Sequence, residues 1–293
     1  MRSLFISALL AFPFLVSAQA NTDIWLLRID VVGDKINLTH PENITARKGY
    51  DNQPGFSPDG KKIYFSSMPE GTTTTDIYSY DIQKKLIEQF TLSKTSEFSP
   101  AFVPVNHGIS VVMVEEDSTQ RIWEFDLTGK RTRNIFPKND SVGYYAWLNP
   151  NSVIAFILGN GKTQSHRLSL IQRDGKEKKI DDSIGRGMKV FNKGAFYIKM
   201  VNTEAFIYYT DLTNKKQLIK APNKSLDMAI FKNKILMASD GIVYAATIEM
   251  NNNKVTGLSA FTPVADLSGY GMKNMGRLAV SPNGKLLAVV NTD

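Results

Sequence analysis

The chain has 293 residues, with 35 lysines and arginines against 28 aspartates and glutamates, three histidines and no cysteine. A hydrophobic fraction of 42% excludes a disordered chain, and 20 glycines with 12 prolines are too few for a collagen-like one. Without cysteine, a disulfide scaffold, thiolate metal sites and a cysteine nucleophile are excluded.

The first twenty residues are typical of a cleaved secretory signal. A basic start at Arg2 is followed by an almost wholly apolar run over 4–16 and by small residues up to Ala20. The run is shorter than the ~20 residues that span a bilayer, and Pro13 interrupts it. We therefore predict a signal peptide over 1–20 and a periplasmic or secreted protein. In that compartment a net charge of +7 does not predict a nucleic-acid partner.

Beyond residue 20 the chain repeats an alternating segment rich in aromatic and β-branched residues, which predicts strands. The copies centre on Trp25, Tyr78, Trp123, Leu168, Tyr208 and Tyr244. A second series lies between them, centred on Phe56, Phe102, Trp147, Val190, Ile230 and Ala279. Two interleaved series with a spacing of about 45 residues predict a β-propeller with four strands per blade.

The turns between strands support the same fold. Residues 56–65 place two strands around Pro58-Asp59-Gly60, where proline presets φ and glycine takes the positive φ that closes a hairpin. Residues 280–289 repeat this pattern.

The predicted fold is an all-β, six-bladed propeller of four antiparallel strands per blade, in one domain over 21–293. The first strand after residue 20 corresponds to the third strand of a blade, and the chain ends after a second strand. We expect the C-terminal hairpin at 278–290 to pair with the strand at 23–30, which would close the ring and remove exposed edges.

The run over 53–67, followed by 76–81, resembles the WD-type (SPDG) repeat of TolB-like six-bladed propellers, with partial copies at 97–100 and 278–284. The resemblance implies a periplasmic or secreted propeller used mainly for protein–protein contact. Members of that family also carry an N-terminal α/β domain. We expect the likeness here to concern the propeller alone.

Polar residues precede each innermost strand, where the resemblance to propellers places them at one mouth of a central channel. The candidate site residues are Asp51, Asn52, Gln53, Glu97, Tyr144, Tyr145, Arg186, Asp227 and Arg277. Arginine binds carboxylates through two hydrogen bonds, and tyrosine offers a stacking face and a hydroxyl. The set suits a zwitterionic, peptidic or sugar-acid ligand. The alternative is that these side chains bond to neighbouring blades and plug the channel.

We predict a non-catalytic, monomeric binding or scaffolding module of the cell envelope, without a cofactor. Its partner would be an envelope or secreted protein, a peptide or an acidic small molecule. The alternative is a propeller hydrolase or lactonase with calcium in the channel, held by oxygens of Asp51, Asn52, Glu97 and Asp227. Two arginines at the same mouth would repel that ion. His40, His107 and His166 show no metal-ligand spacing, and no Gly-x-Ser-x-Gly elbow occurs.

Overall fold

A computed structural model describes residues 21–293 except 106, 107 and 162. The predicted signal peptide over 1–20 and the loop residue His107 lie outside the described residues. The described part of the chain forms strands joined by turns, with two short 3-10 segments at Pro222–Lys224 and Ser268–Tyr270. The predicted all-β class is therefore confirmed for these residues.

The strands are numbered in chain order. Strands β1 to β8 are Thr22–Val32, Lys35–Asn43, Gly49–Phe56, Lys62–Pro69, Asp76–Asp81, Leu86–Gln89, Glu97–Phe102 and Ile109–Val114. Strands β9 to β16 are Gln120–Phe125, Arg131–Asn134, Val142–Asn149, Ser152–Ile157, Arg167–Gln172, Glu177–Asp182, Ile184–Phe191 and Gly194–Val201. Strands β17 to β25 are Glu204–Thr210, Lys215–Lys220, Ala229–Phe231, Lys234–Ser239, Ile242–Asn251, Lys254–Leu258, Thr262–Asp266, Asn274–Val280 and Leu286–Thr292.

These strands form sheets in which most neighbours along the chain pair in antiparallel fashion. Three sheets have four strands each: β7 to β10, β11 to β14, and β15 to β18. A five-stranded sheet runs from β19 to β23, because the long β21 pairs with β23 along its first half and with β22 along its second. The predicted four-stranded antiparallel units are thus present.

The remaining eight-stranded sheet consists of two four-stranded groups. One contains β24, β25, β1 and β2, and the other contains β3 to β6. A single parallel residue pair, Thr22 with Tyr50, joins them. In the first group the N-terminal strand pairs with the C-terminal strand, in register from Thr22 opposite Thr292 to Arg28 opposite Leu286.

The Ser-Pro-Asp-Gly hairpin owes its shape to its own side chains. The Ser57 hydroxyl donates to Asp59 Oδ1 at 2.6 Å and accepts from the Lys62 N–H at 2.9 Å. Gly60 follows with a φ of 69°, which a glycine adopts without steric cost. Ser281 makes the same two kinds of bond, to Asn283 and from the Leu286 N–H. The motif therefore specifies turns rather than a binding site.

Apolar side chains fill the spaces between successive sheets. For example, Val112 and Ile122 from one sheet pack against Val153 and Ile171 from the next, and each is almost fully buried. Burial of such side chains stabilises the fold by roughly 1.5–3 kcal/mol each. The core thus fixes neighbouring sheets against each other.

Candidate functional site

Six strands, β3, β7, β11, β15, β19 and β24, contribute to the lining of one cavity of about 490 Å³. Each contributes a short stretch near the same register, over 53–56, 99–102, 144–147, 186–190, 227–230 and 277–280. The volume lies within the range of about 300–1,000 Å³ found for small-ligand pockets. The repeated segments therefore converge on one space large enough for a ligand.

A local backbone irregularity directs side chains at this cavity. Gln53, Ser99 and Arg277 have φ values of 57°, 55° and 48°, in the left-handed region. In β3, β7 and β24 the strand pairing shifts register at these positions, which marks β-bulges. Bulges bend a strand and change the direction of its side chains, and such strained positions are frequent at functional sites.

The main polar cluster joins Tyr144, Arg186, Asp227 and Arg277. Arg186 Nε and Nη2 donate to Asp227 Oδ2 at 3.0 and 2.6 Å. Arg277 Nη1 lies 3.6 Å from Asp227 Oδ1, and its Nη2 donates to the Tyr144 hydroxyl at 2.9 Å. The Arg277 guanidinium also lies 4.6 Å from the centre of the Tyr144 ring, a cation–π distance. Four of the predicted residues are thus in contact.

Charge balance in this cluster favours an ionised aspartate. Burial by itself would raise the pKa of Asp227, but Arg277 and Arg186 lower that pKa below its ordinary value. The pKa of the neighbouring Tyr50 shifts in the opposite direction. Burial raises the pKa of Tyr50 to about 12, with Arg277 acting against the shift. Asp227 is therefore a fixed anion between two cations, and Tyr50 is a neutral hydroxyl beside them.

Two of the predicted acids, Asp51 and Glu97, make contacts outside this cluster. Asp51 is buried and accepts from Arg47 Nε at 2.8 Å and from Arg47 Nη2 at 2.9 Å. Glu97 is fully buried, and its Oε2 accepts from the Thr91 hydroxyl at 2.7 Å. Neither residue lines the cavity. Asp51 balances the charge of Arg47, and Glu97 connects β7 to the segment that follows β6 in the neighbouring sheet.

Of the other predicted residues, Gln53 and Tyr145 line the cavity and Asn52 does not. Gln53 lines it, and its Oε1 accepts from the Ser99 N–H at 2.6 Å, which links β3 to β7. Tyr145 also lines it, but its hydroxyl donates to Ser110 Oγ at 2.8 Å inside the core. Asn52 Oδ1 accepts from the Gln53 N–H at 2.8 Å and helps to shape the bulge. These side chains hold neighbouring strands together.

Sequence reasoning missed two residues of this region, Lys189 and Tyr50. Lys189 lines the cavity from β15, between the apolar residues Met188 and Val190. The signal was its position one residue before Val190, where four other repeats carry the small residues Gly55, Ala101, Ala146 and Ala229. Tyr50 lies in β3 beside Asp51, but only its acidic and amide neighbours were predicted as site residues.

A metal centre has no ligand set in the described part of the chain, where no three His, Cys, Asp or Glu side chains are grouped to hold an ion. His166 contacts the protein instead, because its Nδ1 accepts from the Gly159 N–H at 3.1 Å and its ring lies 4.7 Å from that of Phe156. Among the described residues there is also no helix of the length and hydrophobicity needed to cross a membrane.

Comparison with known proteins gives one partial sequence match. No protein-family model matches the chain. Dipeptidyl-peptidase 5 of Porphyromonas gingivalis is 27% identical over 128 residues, which are 41% of this chain. That match spans only 17% of the length of the peptidase.

Solved structures are similar over most of the chain. The putative TolB from Agrobacterium tumefaciens covers 94% of it, with a TM-score of 0.65 and 15% identity, and 99% of that protein is matched. The tricorn protease and a nidogen/laminin complex each cover 84%, with TM-scores of 0.57. Identity to them is 15% and 12%, and the matched shares of those chains are 26% and 99%. At this identity the likeness shows the fold alone, a TolB-like β-propeller.

Proposed function

We propose that the chain is a six-bladed propeller whose cavity is the central channel. Two observations support the proposal. The strands divide into six groups of at least four, once the eight-stranded sheet is split at its single bridge. The N-terminal strand also completes the group that contains the C-terminal hairpin, as expected for a closed ring. One domain over 21–293 follows, preceded by a signal peptide that exports it to the periplasm or outside the cell.

The function that this geometry supports best is non-catalytic binding. Its ligand would be an acidic or zwitterionic small molecule, or a segment of an envelope or secreted protein, bound at the channel mouth. The observation that carries the proposal is the contact of Tyr144, Arg186, Asp227 and Arg277 at a cavity of about 490 Å³. Arg186 keeps 39% of its side-chain surface exposed, so its guanidinium remains open to a ligand carboxylate.

The plugged-channel alternative accounts for part of the geometry. The Arg186–Asp227 pair and the Gln53–Ser99 bond do join neighbouring sheets. They leave space in the centre, however, and the aromatic face of Tyr144 borders that space. We infer that the cluster both fastens the inner strands and forms the wall of a binding site.

A ligand panel tests this function. Free amino acids, short peptides, sugar acids and dicarboxylates would be screened by thermal shift, and any hit measured by calorimetry. We expect wild type and the exposed-site control Arg28→Ala to bind at least one panel member. Arg186→Ala and Arg277→Ala should weaken that binding by at least about tenfold, as expected for loss of a charge-assisted hydrogen bond. Equal binding by all four proteins, or binding by none, would contradict the proposal.

The calcium-dependent alternative is not favoured by the carboxylates. Asp51 lies against Arg47, and Asp227 lies between two arginines, so each acid already has a cationic partner. The partial likeness to a peptidase adds no support, because it covers so little of that protein. Thermal unfolding with calcium and with a chelator distinguishes the two functions, since a bound ion would stabilise the fold. We expect equal melting temperatures.

A further inference from the structure

One register position of the six cavity-lining strands has an unusual composition. It lies immediately before the large apolar residue that each repeat carries, from Phe56 in β3 to Val280 in β24. The strand ends place Val280, rather than Ala279 as the sequence series had it, level with Phe56. At this position five strands carry a small residue: Gly55, Ala101, Ala146, Ala229 and Ala279. The remaining strand, β15, carries Lys189.

The small residues leave room in the cavity for one long side chain. Lys189 lines the cavity and is partly buried. Its ammonium makes no hydrogen bond or ion pair with the residues that the structure describes, although Asp227 is close enough to influence it electrostatically. Burial lowers the pKa of Lys189; Asp227 opposes this shift and Arg277 adds to it. An ammonium group that lines a cavity without an ion-pair partner is available to a ligand anion, and residues perturbed in this way in a cleft are candidates for binding sites.

The charged side chains that line the cavity are Arg186, Lys189, Arg277 and Asp227, three cations against one anion. The Asp227 carboxylate accepts hydrogen bonds from Arg186 Nε and Nη2. Within the described residues the Arg277 guanidinium donates one hydrogen bond, to Tyr144, and its Nη1 lies 3.6 Å from Asp227, so further N–H donors remain for a ligand. The cavity therefore has an excess of positive charge and of unused N–H donors, which an anion would satisfy.

We propose that the cavity binds a small oxyanion, a carboxylate or phosphate group held between the Lys189 ammonium and the Arg277 guanidinium. The inference rests on the proposed binding function, because it uses the same cavity, and it adds the group that is recognised, an oxyanion, and a second cationic contact, Lys189. The lysine provides a compact charge, and the arginine provides directional donors for two oxygens. The small residues level with Lys189 provide the space that the anion would occupy.

The test is calorimetric titration of the full mature chain with citrate and with inorganic phosphate, at constant ionic strength in sodium chloride. Lys189→Met keeps the length of the side chain and removes the charge, whereas Lys189→Arg keeps the charge. Lys193→Met, at an exposed position beyond β15, is the matched control. We expect Lys189→Met to bind the oxyanion at least about tenfold more weakly, and the other two variants to bind within a few-fold of wild type.

The two titrants distinguish the source of the anion. Binding of citrate alone assigns the site to carboxylates, and binding of phosphate alone assigns it to phosphate groups. No binding to wild type beyond the chloride control, or equal binding by Lys189→Met, would overturn the inference. In that case, panel binding lost in Arg186→Ala and Arg277→Ala would still support the proposed function, so the two failures are distinguishable.

Discussion

Arg186 and Asp227 lie 41 residues apart and form a two-donor ion pair between the inner strand of one sheet and the segment that leads into the next. The pair is asymmetric, because the aspartate is 8% exposed and the arginine 39%. Arg277 approaches the same carboxylate from a third sheet. One buried acid therefore fixes the positions of two cations at the cavity.

Asp227→Asn should destabilise the protein, because it leaves two arginines near Lys189 without an anion. Removal of one partner from a buried pair costs roughly 3–5 kcal/mol. Because Arg186 is 39% exposed, we expect a loss of unfolding free energy at the lower end of this range, about 3 kcal/mol. Chemical denaturation measures it, with the exposed Asp34→Asn as control. A loss of unfolding free energy as small as that of the control would mean that solvent, and not Asp227, compensates the positive charge of the two arginines.

Gly187→Ala should perturb the site through the backbone. A Cβ at this position would lie 2.5 Å from the Leu226 carbonyl oxygen and 2.9 Å from Ile198 Cδ1. The strand must then move away from the segment that carries Asp227, at a cost of about 1–3 kcal/mol for overpacking. The matched control is Gly269→Ala, where a Cβ meets nothing within 4 Å. We expect only Gly187→Ala to lower both the melting temperature and ligand affinity.

Glu97 should make stability depend on pH. Burial raises the pKa of Glu97 to about 7, and its Oε1 has no hydrogen-bond partner in the described part of the chain. A raised pKa in the folded state means that folding favours the protonated acid. The contribution is fully present below the unfolded pKa of about 4.5 and is lost as the pH rises through about 7.

The test of this prediction is Glu97→Gln, which keeps the size of the side chain and stays neutral. Between pH 5 and pH 8 wild type should lose up to about 3 kcal/mol of unfolding free energy relative to this variant. The exposed Glu116→Gln should follow wild type at every pH. Parallel pH profiles for wild type and Glu97→Gln would show that folding does not raise the pKa of Glu97.

Ring closure predicts a large effect of C-terminal truncation. Deletion of the last fifteen residues removes β25 and leaves β1 without the partner that covers one of its edges. We expect the truncated chain to lose cooperative thermal unfolding and to aggregate. Deletion of Asp293 alone leaves β25 intact and should melt like wild type. Cooperative melting of the longer deletion at the wild-type temperature would exclude closure by this pairing.

The strand pattern could be predicted from sequence, because turn residues and the alternation of apolar and polar side chains are local properties of the chain. The segment at 76–81 coincides with β5, and the Ser57 and Ser281 hairpins fold through their own side chains. The non-local pairing of β1 with β25 could also be predicted from sequence, because an unpaired C-terminal hairpin would have left exposed strand edges.

The site was only partly accessible, because side-chain direction depends on the bulges. Asp51 and Glu97 stand two residues before the bulge residues Gln53 and Ser99, and their carboxylates contact Arg47 and Thr91 instead of the cavity. Arg277 occupies the bulge position itself and reaches the cavity. Spacing along the chain does not reveal a left-handed φ at a non-glycine residue. Lys189 was missed because the predicted site included only residues thought to precede the innermost strands.

The most direct test of the binding account is a crystal structure with the tightest-binding panel member. The account predicts electron density for that ligand in the cavity, with an acidic group within hydrogen-bond distance of the Arg277 guanidinium and contact with the Tyr144 ring. Density for the ligand elsewhere on the molecule, with the cavity unchanged from the ligand-free state, would contradict it.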